Sequence, residues 1–375
     1  MAANYKQYHK ETEAKNEQLL QSVLGGLPPY CKKMMQSLEQ SKQVRTRLGY
    51  ARDLQIFFYY LTQENPLCKD KEAKDISIEV LKNLSRDDIF EYLRFLSNYE
   101  KDGIMHSNDR GAKARKLSAL NRLYNYLNIE DYFQGNPLVG IEWPRIKKKN
   151  LIALDPEQVN MLLSKIASGG TVRSNHQKSY YDRTQLRDIA IVMTFLGTGI
   201  RISELVGLNL SDVDLRENSL RVVRKGGNED IVYFSEDVAD ALLSYAGYEE
   251  FYPLLSPLPS DQKTLSPRQQ LLKKGDPKEQ ALFISMQGKR MAVRSVQEMI
   301  KKYCSVIPNK HITPHKLRST YANNLYEKTG DIYLTGNALG HRSTETTKRY
   351  AGVSDRKKKS IQNISLYDSN SEKTD

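Results

Sequence analysis

The sequence predicts a mainly α (α+β) fold with a helical first domain and a second domain that is mostly helical with a small antiparallel β-sheet. Three observations predict this fold. Apolar residues recur at helical spacing in several segments, a basic stretch with one proline separates two groups of them, and two β-branched runs flank a Gly226-Gly227 turn. At 375 residues, the chain is long enough for two domains that each bury a core.

The first domain is predicted to be a small all-helical bundle over residues 26–142, after a polar N-terminal extension of residues 1–25. The segments 45–61 and 113–127 each place apolar residues on one helical face, with basic residues beside that face. Between them, Ser85 is a predicted N-cap residue. These elements are local and short, as expected for a helical bundle.

The second domain is predicted to begin after a basic linker, residues 143–154, in which Pro144 interrupts helix formation. An isolated run of lysines is also what an ordinary solvated linker contains. Asp155 as N-cap and Pro156 at the first helical position then start a new helix. We therefore assign the second domain to residues 155–352.

Within this domain, a helix with a buried apolar stripe is predicted before two glycines, Gly197 and Gly199. The stripe comprises Leu186, Ile189, Ala190, Met193 and Leu196. Residues 218–234 are predicted to form a β-hairpin. Residues 249–280 contain five prolines and are expected to form a long surface loop with one short helix, to which no role is assigned. Residues 353–375 are expected to form a C-terminal helix and a disordered tail.

The charge balance is compatible with a polyanionic partner. The chain carries 57 Lys plus Arg against 45 Asp plus Glu, a formal net charge of +12. The same balance also occurs in basic proteins without a nucleic-acid partner, so charge alone leaves both interpretations open.

Several classes of site are not indicated by the sequence. The three cysteines, Cys31, Cys68 and Cys304, lack the spacing of a disulfide framework or a zinc site, which favours a cytoplasmic protein. The polar first thirty residues and the lack of a long apolar run argue against a signal peptide or a membrane span. No ATP-binding loop, dinucleotide fingerprint or His-Glu-x-x-His metal motif occurs, so we expect no cofactor and no metal.

Four segments of the second domain carry side chains suited to phosphate chemistry. The first runs from residue 187 to 215 and contains Gly197-Thr-Gly-Ile-Arg201, and the second is the hairpin, with Lys225 at its turn. The third is Thr313-Pro-His315-Lys-Leu-Arg318. The fourth is Leu339-Gly-His341, followed nine positions later by Tyr350.

These segments and their order resemble the tyrosine recombinase family, also called the phage integrase family. The resemblance implies site-specific cutting and rejoining of DNA through a 3′-phosphotyrosyl intermediate and a Holliday junction. It implies a six-residue catalytic set: Arg201, Lys225, His315, Arg318, His341 and Tyr350. Ser319 departs from the family pattern, because many relatives carry histidine there.

The residue types fit this chemistry on physical grounds. Attack by a tyrosine hydroxyl on a phosphodiester increases the negative charge on the non-bridging oxygens, and the guanidinium forks of Arg201 and Arg318 match those oxygens. Lys225 is a plausible acid for the leaving 5′ oxygen, and His315 is a candidate proton-transfer group three residues before Arg318. Because the phosphotyrosyl bond conserves the energy of the broken bond, rejoining requires no ATP.

Taken singly, each of these residues also has an ordinary interpretation, such as a surface arginine or a solvated turn lysine. Their joint order favours the catalytic interpretation. The first domain resembles the family's core-binding domain, which implies DNA contacts from its basic helices and from the linker. The candidate DNA-binding residues are Arg45, Thr46, Arg47, Arg52, Lys113, Arg115, Lys116, Arg122, Lys147 and Lys148. A solvated helix face is the alternative.

Within the family the chain is most similar to the Xer type, especially the single-recombinase form of Gram-positive cocci. Leu27-Pro-Pro-Tyr30 and Arg224-Lys-Gly-Gly227 carry this resemblance, together with the lack of an obvious arm-binding domain ahead of residue 25. It implies resolution of chromosome dimers for chromosome partition at cell division, or integration of a mobile element with the same chemistry. A type IB topoisomerase and a catalytically inactive DNA-binding relative are the rival interpretations.

The resemblance also implies partners. These are duplex DNA with an inverted-repeat site, three further copies of the chain in a tetramer on DNA, and an activator such as a DNA translocase. Exchange of the C-terminal helix would link neighbouring copies. For that helix Asp355 is a predicted cap, and Ile361, Ile364 and Leu366 form a short apolar edge. An intramolecular helix or a frayed tail is the alternative.

Overall fold

The structure is a computed structural model that describes residues 3–69, 71–144, 153–169, 174–224, 227–251, 265–308, 310–340 and residue 347. The chain divides into two units, residues 6–149 and residues 150–375 together with 1–5.

The first unit is mainly helical. In chain order its elements are α1 (Ala3–Gly25), α2 (Pro29–Ser37), α3 (Val44–Glu64), α4 (Ile78–Asn83), α5 (Arg86–Phe95), β1 (Tyr99–Lys101), β2 (Ile104–His106) and α6 (Arg110–Ile129). The predicted helices 45–61 and 113–127 correspond to α3 and α6, and their apolar stripes lie in one core with α2 and α5. Ser85 caps α5 as predicted, since its hydroxyl accepts from the backbone N–H of Asp88 while the Asp88 carboxylate accepts from Ser85.

One feature of this unit contradicts the expectation of an all-helical domain. Strands β1 and β2 form an antiparallel hairpin in which Tyr99 pairs with His106 and Lys101 pairs with Ile104. The turn is Asp102-Gly103, and both residues have positive φ. A two-residue turn of this kind matches the twist of the flanking strands, so three-residue strands suffice to close it.

The second unit includes the positions of the six predicted catalytic residues. Its elements are α7 (Pro156–Ala167), α8 (Asn175–Thr198), α9 (Ile202–Gly207), β3 (Val213–Asp214), β4 (Ser219–Val223), β5 (Glu229–Tyr233), α10 (Glu236–Ala246), α11 (Tyr248–Phe251), α12 (Pro267–Leu272), α13 (Val293–Cys304), α14 (Pro314–Thr329) and α15 (Ile332–Ala338). Asp155 caps α7 as predicted, with Pro156 at the first position. The predicted hairpin is present as β4 and β5, and β3 adds a third strand that was not predicted.

The buried face of α8 differs from the predicted stripe. Leu186 is exposed, whereas Arg187 and Asp188 are almost completely buried. The Arg187 guanidinium donates to the Asp188 carboxylate at 2.7 Å and to the Ile284 carbonyl at 2.9 Å, and Tyr303 donates to the other Asp188 oxygen. Because the two charges pair with each other and with hydrogen-bond partners, Arg187 and Asp188 can occupy interior positions, which a search for apolar periodicity does not detect.

The proline-rich region is only partly a loop. Residues 252–264 lie outside the described residues, but α12 packs into the unit and Arg268 is 1% exposed. Its guanidinium donates to the Glu250 carboxylate at 3.1 Å, to the Glu279 carbonyl at 2.9 Å and to the Ala281 carbonyl. One side chain therefore ties the chain before residues 252–264 to the chain after them.

Candidate active site

The end of α8 is shaped by a glycine that no other residue replaces without strain. Gly199 is the C-cap residue of α8 with φ +61°, in the left-handed region. A Cβ at this position would lie 2.3 Å from a ring carbon of Tyr321 and 3.1 Å from the Leu339 side chain. Gly199 therefore allows α8, α14 and the end of α15 to approach closely, and Arg201 follows two residues later.

Arg201 is held by a carboxylate three residues further along the chain. Its Nη1 donates to Oε1 of Glu204 at 2.7 Å, and its backbone N–H donates to Oε2 at 2.7 Å. The Glu204 side chain is 3% exposed and that of Arg201 is 35% exposed. One edge of the guanidinium is thus anchored, while part of the side chain remains accessible to a ligand.

Arg318 lies on α14 and joins two of the other segments. Its Nη1 donates to the carbonyl of Gly199 at 2.6 Å, and its Nη2 donates to the carbonyl of Leu339 at 2.7 Å. The residue is 3% exposed. A buried guanidinium between two carbonyls is fixed in direction, so its position relative to the Arg201 segment is set by the fold.

The first residues of α14 surround the His-x-x-Arg segment. His315 is exposed, so the two residues of the His-x-x-Arg segment differ in burial. Thr313 occupies the N-cap position but makes no side-chain capping bond, and Pro314 stands in the first turn. Ser319, the departure from the family pattern, is buried and donates to the carbonyl of His315 at 3.0 Å.

The hairpin is connected to this group through Arg224. Lys225 and Gly226 lie outside the described residues, but Arg224 immediately precedes them. Its guanidinium donates to Glu204, to Asp230 and to the carbonyl of Ala338. The root of the predicted lysine turn is therefore attached to the Arg201 segment and to the end of α15.

Two of the six predicted catalytic residues, His341 and Tyr350, also lie outside the described residues. The chain near them is described at Gly340, with φ +60°, and at Thr347, which is completely buried. A Cβ on Gly336 of α15 would lie 3.1 Å from the Thr347 hydroxyl oxygen. Thr347, three residues before Tyr350, therefore packs against α15.

Burial raises the pKa of Tyr321, whose ring packs beside Gly199, and the positive charges of Arg224 and Arg318 act in the opposite direction. The Tyr321 ring is half-buried within reach of both positive charges. No group of three or more His, Cys, Asp or Glu suited to a metal ion occurs among the described residues. Within the same part of the chain, no helix has the length and apolar character needed to cross a membrane.

The structure separates the predicted DNA-binding residues of the first unit by burial. Arg45, Arg52, Arg115 and Arg122 are exposed, and Thr46 and Lys113 are half-buried. Arg47 and Lys116 are 6% exposed. Lys147 and Lys148 lie outside the described residues.

The two buried cations have partners inside this unit. Arg47 pairs with Glu17 at 3.2 Å and with Glu39 at 3.7 Å. Lys116 donates to Asn108 at 2.9 Å, and its ammonium lies 3.9 Å from Asp53, which also accepts from Arg115. Burial lowers the pKa of Lys116 and Asp53 opposes that effect. Arg47 and Lys116 therefore stabilise the first unit through contacts within it.

Two residues of the site, Glu204 and Arg224, were not assigned a role from the sequence. The spacing of Glu204 from Arg201 is that of neighbours on a helical turn, which is a usable signal for an ion pair. Arg224 has no such signal for its contacts with Glu204 and Ala338, which are 20 and 114 positions away.

Comparison with known proteins identifies relatives of the chain. Residues 153–357 match the model of the phage integrase family. The chain is 29% identical to tyrosine recombinase XerC of Caldanaerobacter subterraneus subsp. tengcongensis, over 85% of this chain and 81% of that protein. It is 29% identical to tyrosine recombinase XerS of Lactococcus lactis subsp. cremoris, over 90% of this chain and 96% of that protein.

Among solved structures, the fold is similar to that of the XerH site-specific recombinase bound to a palindromic difH substrate in a post-cleavage complex. The TM-score is 0.58 at 18% identity, over 89% of this chain and 83% of that one. At this identity the similarity establishes the fold, which is the mainly helical fold with small antiparallel sheets that the sequence predicts.

Proposed function

The chain belongs to the phage integrase family, and from this we propose how its site cuts and rejoins DNA. It is a tyrosine recombinase, an enzyme of site-specific DNA recombination. We assign the roles of nucleophile to Tyr350, of phosphate clamp to Arg201 and Arg318, and of acid for the leaving group to Lys225. His315 takes part in proton transfer, and His341 donates a hydrogen bond to the phosphate.

In the proposed reaction the Tyr350 hydroxyl gives its proton to His315, and its oxygen attacks the scissile phosphorus to form a 3′-phosphotyrosyl bond. The bond from phosphorus to the 5′ oxygen breaks, and Lys225 gives a proton to that oxygen as it leaves. The guanidinium groups of Arg201 and Arg318 stabilise the charge on the non-bridging oxygens. Rejoining reverses these steps with a 5′-hydroxyl of the partner strand, so neither ATP nor a metal is needed.

The observation that carries this assignment is the pair of hydrogen bonds made by Arg318. They join the α14 segment to the carbonyl of Gly199, two residues before Arg201, and to the carbonyl of Leu339, two residues before His341. Segments that are far apart in sequence are thereby joined by one side chain. Catalytic groups must be held in such a fixed arrangement to act on one phosphate.

We propose that the unit of residues 6–149 binds duplex DNA through the exposed cations Arg45, Arg52, Arg115 and Arg122. The working assembly is a tetramer on two inverted-repeat sites, coupled by exchange of the C-terminal helix. The cellular role is Xer-like resolution of chromosome dimers in the cytoplasm, with a DNA translocase as a candidate activator. A footprint at the chromosome terminus would support this role, whereas a footprint on DNA flanking the gene would favour a mobile element.

The Tyr350→Phe variant tests the nucleophile assignment. On a nicked suicide substrate, which loses a short strand on cleavage, the unaltered chain should accumulate a covalent adduct. Tyr350→Phe should bind the same DNA but form no adduct. Tyr333 is 69% exposed on α15, so Tyr333→Phe is the matched control and should cleave normally. An adduct in the Tyr350→Phe variant would refute the assignment.

A further inference from the structure

Arg224 stands at the root of the β4–β5 hairpin turn. Its backbone N–H donates to the carbonyl of Asn228 at 2.8 Å, and its carbonyl accepts from the N–H of Gly227 at 3.0 Å. These bonds fix the residues on both sides of Lys225 and Gly226. The position of Arg224 therefore determines where the turn that bears the proposed acid begins.

The guanidinium of Arg224 is almost fully buried and uses all three of its nitrogens. Nε donates to the Asp230 carboxylate on β5 at 2.9 Å, and Nη1 donates to the Glu204 carboxylate on α9 at 3.0 Å. Nη2 donates to the carbonyl of Ala338 at the end of α15 at 3.2 Å. With its side chain 8% exposed, Arg224 is a link between three elements of the unit and is poorly placed to contact DNA itself.

The contact with Glu204 joins Arg224 directly to the proposed phosphate clamp. One oxygen of this carboxylate accepts from the Arg201 guanidinium, and the other accepts from the Arg201 backbone and from Arg224. These shared hydrogen bonds fix the distance between the clamp segment and the hairpin root, because a charged hydrogen bond in a buried place is costly to break.

Arg224 also contacts the C-terminal end of α15. The carbonyls at a helix C-terminus carry partial negative charge, which favours a nearby cation. Arg224 binds the carbonyl of Ala338, while Arg318 binds that of the next residue, Leu339. A Cβ on Gly340 would lie 2.6 Å from Nε of Arg224, so the chain passes directly over the guanidinium.

We propose that Arg224 is a positioning residue for Lys225. Its side chain anchors the hairpin root to α9 and α15, and Lys225 depends on this anchoring to act as the acid. This inference rests on the proposed role of Lys225 as the acid that protonates the leaving 5′ oxygen.

The role predicts a defect that depends on the leaving group. A 5′-sulfur in place of the bridging 5′ oxygen leaves as a thiolate, whose conjugate acid has a pKa near 8.5 in the case of cysteine, and needs no protonation. In single-turnover cleavage, Arg224→Gln should slow the oxygen substrate by about 100-fold, the lower end of the range for general acid catalysis. The sulfur substrate should be cleaved at nearly the rate of the unaltered chain. An equal loss on both substrates would overturn the inference.

The Lys225→Ala variant separates the two hypotheses. If the sulfur substrate rescues Lys225→Ala but not Arg224→Gln, the acid assignment stands and the positioning role of Arg224 is wrong. If it does not rescue Lys225→Ala, the acid assignment fails and the inference that rests on it falls too.

The Asp230→Asn variant is a second test of the anchor, which remains informative if Arg224→Gln does not fold. Asp230 has a side chain that is 41% exposed, so this variant should fold normally while it weakens one arm of the Arg224 anchor. It should show a smaller loss on the oxygen substrate and the same rescue by sulfur. Unchanged cleavage of the oxygen substrate by Asp230→Asn, or a loss without rescue, would count against the anchor.

Discussion

The guanidinium of Arg318 donates to the carbonyl oxygen of Leu339 at 2.7 Å, and both residues are buried. This bond gives Arg318 a structural function besides the catalytic function we propose. Arg201 differs, because about a third of its side chain is exposed. The two arginines of the proposed clamp should therefore respond differently to removal.

Arg201→Ala should slow cleavage by roughly 10²- to 10³-fold, the range for loss of one preorganised donor. It should lower the midpoint of thermal unfolding only modestly, because the buried Glu204 carboxylate keeps the Arg201 backbone N–H and Arg224 as donors. Arg318→Ala should slow cleavage at least as much and also destabilise the fold, because two buried carbonyls lose their donor at about 1–3 kcal/mol each. Single-turnover cleavage and thermal unfolding measure the two effects. Equal stability of the two variants would contradict the structural function of Arg318.

Gly199→Ala should both destabilise the chain and slow cleavage, since its Cβ would overlap the Tyr321 ring at 2.3 Å. Gly330, the C-cap of α14, offers a matched control, with φ +68° and nothing within 4 Å of its Cβ. Gly330→Ala should cost only the left-handed strain, about 1–2 kcal/mol, and leave cleavage unaffected. Thermal unfolding and cleavage of both variants test the prediction, which fails if the two behave alike.

Variants of three arginines on α3 should distinguish DNA contact from packing within the unit. Arg45→Ala and Arg52→Ala remove exposed cations, so each should weaken DNA binding and reduce the dependence of log K on log salt concentration by about 1 if it contacts a phosphate. Arg47→Ala removes a buried partner of Glu17 and Glu39, so it should lower the unfolding midpoint. A change in salt dependence for Arg47→Ala, with none for the exposed pair, would reverse this assignment.

Deletion of the residues after Ala351 tests the proposed exchange of the C-terminal helix. Binding to a single site should remain intact, because the proposed DNA contacts lie elsewhere. Synapsis of two sites should change, and the order of strand exchange should be disturbed, since each tyrosine loses its link to the neighbouring copy. Recombination at an unchanged rate and in an unchanged order would show that the segment does not couple the copies.

The parts of the fold that the sequence predicted are those governed by local interactions. Asp155 and Ser85 start helices through bonds to residues three positions away, so their patterns are visible in the sequence. The β1–β2 hairpin had the local signal Asp102-Gly103, but its three-residue strands are too short for apolar alternation to be recognised.

The parts that the sequence did not predict depend on distant partners. Arg187 and Asp188 are buried because they pair with each other and with Tyr303, which is 115 positions from Asp188. Arg224 makes contacts across the unit in the same way. The proposed catalytic residues therefore rest on motif order, whereas the contacts of Arg224 could be identified only from the fold.

The hydrogen bonds of Arg268 indicate where the chain can be lengthened. Because this one side chain joins Glu250 to Glu279 and Ala281, the two ends of the intervening segment are already held together. Extending a loop whose ends are fixed costs only about 0.6 kcal/mol for each doubling of its length. Residues 252–264 are thus a suitable place to insert a fluorescent or affinity tag, through which single recombinase molecules could be followed on DNA.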